Sequence, residues 1–349
     1  MAVNGTAADT TPAAEPGARP DASRPDLSVV IVNRNTRGLL HDCLHSIRRL
    51  PDPVRLELIL VDNGSTDGSV EMVEEEFPDA RLIRNPTNTG YAYPNNQGLS
   101  VSHGRYVLLL NSDTVLHPGA LGRLVEFMDA HPEAGACGPA LQYPDGSLQR
   151  SCYSLPSPRT YLSRMLALDE LFPRSRVFGN QHLGFDHRHT APVEALLGAA
   201  LLCRREVLET VGALDERFRI HYNDFDWCRR ILDAGWRIYF VHDASVVHHS
   251  AATTRIENDS LRIQGELVRN LFDYYEKHYG RGGVLWVRFW MLVGFGIRFL
   301  LFAARDLVRP SRADPVSRRF RLGMVRAALS GDPHQFGYAP AVLAPGGSR

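Results

Sequence analysis

Apolar residues in the first third of the chain follow two alternating periods. Leu27–Asn33 (Leu-Ser-Val-Val-Ile-Val-Asn) is short, β-branched and apolar on both faces, as a central parallel strand would be. Leu40, Cys43, Leu44 and Ile47 recur at i, i+3, i+4 and i+7, which predicts a helix over 37–50, stopped by Pro51-Asp52-Pro53. Strands are expected at Leu56–Val61, Arg81–Arg84 and Tyr106–Leu110, with helices near 68–77 and 92–102. This alternation, repeated four times with short links, predicts an α/β fold with a doubly wound, mainly parallel sheet and flanking helices.

Beyond Pro118 the pattern loosens. Tyr143-Pro144-Asp145-Gly146-Ser147 reads as a turn and 151–190 as irregular. Order returns with Val193–Leu202, a helix over about 204–211, and a second helix with Asn223 as its N-cap and acidic Asp224 and Asp226 in its first turn. A strand, Trp236–Val241, and the segment Val246-Val247-His248-His249 close the globular unit.

Composition narrows the function classes. With 349 residues, 44% apolar, the chain can bury a large core. Its 39 basic and 39 acidic residues give no basic field, so nucleic acid is not an expected partner. Five scattered cysteines without a CxxC pair read as reduced thiols. Residues 1–26 lack the apolar stretch of a secretory signal and read as a disordered leader, and 331–349 as a disordered tail.

Ligands of open α/β sheets bind at the carboxyl ends of the strands. Four polar clusters fall there: Asn33-Arg34-Asn35, Asp62-Asn63-Gly64, Asn88-Thr89-Gly90 and Asn111-Ser112-Asp113. One such cluster is a turn; four on one edge are a site. Gly90 lets backbone approach a ligand, and the helix start that follows, with Asn96, offers N–H groups to phosphate. The first strand leads into Asn33-Arg34-Asn35-Thr36-Arg37-Gly38 and not GxGxxG, which argues against a dinucleotide dehydrogenase.

Five ordered signatures, VVIVNRN (29–35), LVDNGSTDGS (60–69), NTGYAYPNNQG (88–98), LLLNSDT (108–114) and NDFDWCRRI (223–231), followed by VVHHSAATT (246–254), resemble family 2 glycosyltransferases of the GT-A fold. The nearest branch is bacterial and rhamnosyltransferase-like, and the resemblance covers about 27–255. It implies a nucleotide-diphosphate sugar donor held by Asn33, Arg34, Asp62, Asn88, Gly90, Asn96, Asn111, Ser112 and Asp113. Asp62 would accept the pyrimidine N–H, and Arg34 stands where the family commonly has tyrosine. Asn111-Ser112-Asp113 occupies the place of the Asp-x-Asp metal motif, so Asp113 and His248 would hold Mg²⁺ or Mn²⁺, with His249 as the neighbouring alternative. Asp224 would be the catalytic base of an inverting transfer, supported by Asn223, where relatives carry Glu, and by Asp226.

The resemblance implies L-rhamnose from dTDP-rhamnose as the transferred sugar and a lipid-linked saccharide as acceptor. A UDP-hexose, UDP-N-acetylhexosamine or UDP-galactofuranose donor stays open. So does a non-catalytic nucleotide-sugar-binding module, which the Asn111 and Asn223 replacements motivate. The acceptor pocket is expected along 151–190 and Leu197-Gly198-Ala199.

After the GT-A domain (27–255), a helical region is expected over 256–330, containing the apolar run 284–304. An arginine near the middle of a spanning helix costs about 2.5–3.5 kcal/mol. Arg288 and Arg298 therefore favour a helix lying on the membrane, its arginines snorkelling to headgroups. Seven arginines against two aspartates over 305–326, a net of +5, suit an anionic leaflet. The expected location is cytoplasmic, peripheral on the inner face of the cell membrane; a homo-oligomer interface is the alternative use of the same helix.

Overall fold

The computed structural model describes residues 24–49, 53–250, 260–308 and 315–331. Its first half follows the periodicity: β1 (Leu27–Asn33), α1 (Arg37–Arg48), β2 (Leu56–Asn63), α2 (Ser69–Glu76), β3 (Arg81–Asn85), α3 (Ala92–Ser100) and β4 (Tyr106–Asn111). β1 lies parallel to both β2 and β4, and β2 to β3. The register sets Asn33 beside Asp62 and Val32 beside Asn111, so the polar strand ends share one edge.

The second half is more regular than its sequence suggests. It continues with β5 (Thr114–Leu116), α4 (Ala120–Ala130), β6 (Ala134–Gln142), β7 (Leu148–Gln149), β8 (Cys152–Tyr153) and α5 (Pro158–Met165). Short α6 (Leu168–Leu171) and α7 (Gln181–Gly184) follow, then β9 (Ala191–Val193), β10 (Ala195–Leu196), β11 (Ala200–Arg204), α8 (Arg205–Thr210), α9 (Asn223–Asp233) and β12 (Arg237–His248). The main sheet runs β3-β2-β1-β4-β11-β6-β12-β5, with β11 antiparallel between β4 and β6 and β5 antiparallel on β12. The region 151–190 thus contains α5, whose N-terminus is a capping box between Ser157 and Thr160. β12 continues past Val241 through a register shift before Ser245, so His242 and Asp243 interrupt its pattern without ending it.

Both faces of the sheet are covered. Val29 and Ile31 pack with Leu40 and Leu44 of α1, whereas Val30 packs on the other side with Leu99 of α3 and Trp227 of α9. All five cysteines are free and buried. Of the expected leader, residues 1–23 lie outside the described residues. Residues 24–26 do not behave as leader: Asp26 pairs with Arg55 and Arg105.

α10 (Ser260–Val308) is broken at Gly280, where φ 65° and ψ −170° are not helical, and α11 (Pro315–Ser330) packs back on it. A third apolar cluster, including Phe218, Tyr274, Tyr275, Val287, Met291 and Met324, joins these helices to the sheet domain. Gly265–Leu301 is long enough to cross a membrane and contains an 18-residue window with a mean hydropathy of 1.7, of which 17% is buried. Leu285, Trp286, Phe289, Ile297, Leu300 and Leu301 are exposed. Arg288 corrects the expectation of a snorkelling side chain. Its guanidinium donates to the carbonyls of Ala328 (2.9 Å) and Leu329 (2.6 Å), which satisfies the end of α11.

Candidate active site

The polar edge of the sheet is built from hydrogen bonds between strand ends. Asn33 Nδ2 donates to Asp62 Oδ1 (3.3 Å) and to Ser65 Oγ (3.1 Å), and Ser65 N donates to Asp62 Oδ2 (2.9 Å). Asp62 is buried, with both oxygens engaged at the end of β2. Thr36 Oγ1 donates to Asn33 Oδ1 (2.7 Å) and lies 3.0 Å from Ser112 Oγ, so the hydroxyls tie the first cluster to the fourth. An Arg34 Nη donates to the Asn63 carbonyl at 3.4 Å.

Asn63 is a positioning residue absent from the expected set. Its Nδ2 donates to Asn88 Oδ1 (3.1 Å) and the Gly90 carbonyl (2.8 Å), while its Oδ1 accepts from Thr89 N (3.1 Å). Asn88 in turn accepts from Gly90 N (2.9 Å). Gly90 has φ 94°, and a Cβ there would lie 2.8 Å from the Arg219 carbonyl; glycine is required by both conformation and space. Asn96 has a different use from the one expected. Its amide donates to the Leu214 carbonyl (2.9 Å) and accepts from Leu214 N (3.0 Å), clamping α3 to the 212–218 loop.

Asp113 and His248 meet although 135 positions separate them, because β5 pairs antiparallel with the end of β12 and sets His248 opposite Thr114. His248 Nε2 lies 3.3 Å from Asp113 Oδ1, and the two residues are 5% and 8% exposed. His248 Nδ1 sits 2.9 Å from Oε1 of buried Gln149 on β7. An amide oxygen accepts, so Nδ1 carries a proton there, and in the neutral ring Nε2 presents its lone pair toward the carboxylate. Two facing acceptors repel unless a cation or proton lies between them. Asn111 Nδ2, 3.4 Å from Nε2, partly fills that role. This donor set fits a divalent cation. His249 uses its backbone N–H on the Asp113 carbonyl (2.9 Å), which holds the two strands in register.

Asp224 lies in the first turn of α9. The helix starts at Asn223 itself, which is therefore the first helical residue and not the N-cap. The N-cap position belongs to Tyr222, whose φ of 69° is unusual for a bulky side chain. Asn223 Oδ1 accepts from Asp224 N (2.8 Å), and its Nδ2 is buried without a partner among the described residues. Asp224 Oδ1 accepts from Phe225 N (2.9 Å) and Oδ2 from Gly198 N (3.3 Å). Burial pushes its carboxyl above the ordinary aspartate value, and these N–H groups offset only part of that effect.

Asp226 is wholly buried and differently placed. It receives Arg230 (2.9 Å), Lys277 Nζ (2.6 Å) and His278 Nε2 (2.8 Å), the last two from α10. Burial raises its carboxyl pKa, but the hydrogen bonds from His278 and Lys277 and the nearby cations outweigh this and hold it below the usual value. Asp226 is thus bound up in helix docking and does not face a reacting group.

The turn Leu197-Gly198-Ala199 joins the two halves of the site. Ala199 O accepts from Asn111 N (2.9 Å), Gly198 N reaches Asp224, and Gly198 O accepts from Tyr91 Oη (2.8 Å). Beside it, Asp224 lines a cavity of about 480 Å³ with Tyr153, Tyr161, Arg164, Tyr222 and Phe225; Leu267, Phe295 and Met324 form its far wall. Residues of 151–190 and Leu197, the stretches in which an acceptor pocket was expected, contribute to this lining.

Residues 28–190 match the family model "Glycosyl transferase family 2". The N-acetylglucosaminyl-diphospho-decaprenol L-rhamnosyltransferase of Mycobacterium tuberculosis is 32% identical over 214 residues, 57% of this chain and 68% of that one. The O-antigen biosynthesis protein RfbC of Myxococcus xanthus is 27% identical over 241 residues, 68% of this chain but 18% of its own length. Among solved structures, a mannosyltransferase of Pyrobaculum calidifontis in complex with GDP-Man and Mn²⁺ superposes with a TM-score of 0.50 at 18% identity, covering 88% of this chain and 87% of that one. GalNAc-T7 with UDP, GalNAc and Mn²⁺ gives a TM-score of 0.51 at 16% identity over 65% of this chain and 44% of that one. The fold is the GT-A arrangement these structures share.

Proposed function

The chain belongs to glycosyltransferase family 2, and on that basis we propose that it transfers L-rhamnose from dTDP-rhamnose to a lipid-linked saccharide, inverting the anomeric carbon. The observation that carries this reading is the Gly198-Ala199 turn, which hydrogen-bonds the Asn111 motif on one side and Asp224 on the other. A displacement needs the departing diphosphate and the attacking hydroxyl held in one frame, and this turn supplies that frame.

Asp224 takes the proton of the acceptor hydroxyl as its oxygen bonds to the anomeric carbon and the bond to the diphosphate breaks. One base and one displacement give inversion. Desolvation increases the proton affinity of this carboxylate, which suits a general base. Asp62, Asn33, Asn88 and Gly90 form the nucleoside end of the donor site. Asp113 and His248 would hold Mn²⁺ or Mg²⁺, which when bound neutralises diphosphate charge. The Mn²⁺ named with both structural neighbours supports that assignment.

The acceptor reading rests on the pocket and on the decaprenyl-linked substrate in the name of the mycobacterial relative. Tyrosine and phenylalanine faces near Asp224 suit a sugar ring, and the Leu267, Phe295 and Met324 wall suits a lipid. The exposed apolar residues of α10 and the net +5 segment after it suit an anionic cytoplasmic membrane surface.

A donor screen by product-nucleotide release tests this. Turnover is expected with dTDP-rhamnose in the presence of a polyprenyl-diphosphate-linked saccharide. Turnover with a UDP-sugar instead would replace the donor, and no turnover with any donor would support a binding module.

A further inference from the structure

A second group of metal-ligating side chains lies on the surface of α1 and α2, outside the site described above. His41 and His45 are one helical turn apart, with ring centroids separated by 4.3 Å. Glu76, the last residue of α2, brings Oε2 to 3.2 Å from His41 Nε2. One ligand atom from each of the three lies within 4.8 Å of the other two. Tetrahedral bonds of about 2.0–2.2 Å place neighbouring ligand atoms roughly 3.3–3.5 Å apart. The His41–Glu76 pair is already near that separation, and an exposed glutamate closes the remaining gap by rotation.

The surroundings favour a cation there. Asp42 Oδ1 lies 3.5 Å from His41 Nδ1, the outer position from which carboxylates orient metal-binding imidazoles. Phe77 backs both imidazoles, with its ring 6.3 Å from His41 and 5.4 Å from His45. The nearby cation, Arg48, lies over the Phe77 ring and donates to the Glu76 carbonyl and to Asp79, which leaves the Glu76 carboxylate to His41.

We propose that His41, His45 and Glu76 form a Zn²⁺ site that clips α1 to α2. Two imidazoles and one carboxylate select Zn²⁺ over Mg²⁺, and water completes the tetrahedron. The clip has a bearing on the donor edge, because α1 begins after Thr36, whose hydroxyl bonds Asn33 and contacts Ser112.

The test uses full-length protein in detergent, stripped by a chelator and titrated calorimetrically with Zn²⁺ while Mn²⁺ and nucleotide saturate the donor side. One equivalent of Zn²⁺ should bind, and at a hundredfold excess over Kd the Tm should rise by about 4 °C. Mg²⁺ should do neither. His45→Ala should weaken binding at least tenfold, roughly the loss caused by disturbing a ligand's support. Co²⁺ in place of Zn²⁺ gives a second readout: visible d–d absorption that His45→Ala removes without unfolding the chain. An Asp113→Ala, His248→Ala variant should keep the Zn²⁺ equivalent. Absence of binding, binding unchanged in a His41→Ala, His45→Ala chain, or binding lost with Asp113 and His248 would each overturn the site.

Discussion

Asp224 and Asp226 lie two residues apart on one helix and burial raises both carboxyls, yet their net shifts are opposite because their partners differ. Asp226 is buried with three cationic or hydrogen-bonding partners, whereas Asp224 has only backbone N–H groups. Asp224→Asn removes proton acceptance at constant size, so kcat should fall by roughly 10²–10⁴ with donor affinity little changed. The raised carboxyl also makes a stability claim. The native state binds this proton more tightly than the unfolded chain does, so ionising Asp224 costs stability above its native pKa and costs nothing below the ordinary aspartate range. Asp224→Asn should therefore melt higher than wild type at pH 7 and show no such gain near pH 3, as thermal scans at the two pH values would reveal. Gln149 offers a second test. Gln149→Leu frees His248 Nδ1, so the Mn²⁺ concentration for half-maximal transfer should rise about 10–100-fold, with kcat at saturating metal largely kept. If the metal requirement stays unchanged, His248 is not a ligand. Asp113, His248 and Asp224 were legible because their residue types announce chemistry within ordered motifs. Gln149 was not, and for Asn63 and Gly198 only the segment was legible and not the role, because each acts through hydrogen bonds to groups distant in the chain.

Elements were legible where one period dominates. β1 to β4 combine β-branched runs with helices whose buried residues repeat at helical spacing, and their expected boundaries lie within two residues of those observed. β6 is Ala-Gly-Ala-Cys-Gly-Pro-Ala-Leu-Gln, small residues with no strand signature of their own, and it is a strand because β11 and β12 flank it. α4 was not among the expected elements, although Leu121, Leu124, Val125 and Met128 carry helical spacing, with Gly119 at its start. The docking of α9 on α10 was not, since it depends on Lys277, the chain's only lysine, bridging Asp215 (2.7 Å) and Asp226 (2.6 Å). Lys277→Met strips one cation from the buried Asp226 but leaves Arg230 and His278. The expected loss is about 1–3 kcal/mol, below the 3–5 typical of a fully broken buried pair. Because the Asp226 carboxyl sits below its ordinary value, the interaction stabilises the fold above about pH 4 and fades as pH falls through the native value. Urea denaturation should show wild type and variant far apart at pH 7 and converging in acid. A constant gap would mean that Lys277 contributes packing rather than charge.

Across the whole molecule, the pocket around Asp224 and the apolar surface of α10 are parts of one structure. Phe295 of α10 and Met324 of α11 line that pocket, while Leu285, Phe289, Leu300 and Leu301 of α10 are exposed. With Arg288 turned inward onto α11, that outer face is more apolar than the sequence implied. The break at Gly280 precedes the apolar run, and the helix that continues to Val308 is long enough either to cross a bilayer or to lie along its surface. Binding should then have two separable parts. Replacing Leu285, Phe289, Leu300 and Leu301 with serine should abolish co-sedimentation with anionic vesicles and leave the Tm nearly unchanged, because more than half of each side chain is exposed. High salt should weaken the wild-type association by screening the arginine-rich segment, and carbonate should extract a substantial fraction of the protein. Soluble-acceptor turnover should survive the serine substitutions, whereas turnover on a lipid-linked acceptor should fall with the lost local concentration. Resistance to both extractions would make α10 a spanning helix. Purification of the wild type wholly in the soluble fraction would assign the apolar face to a second copy of the chain.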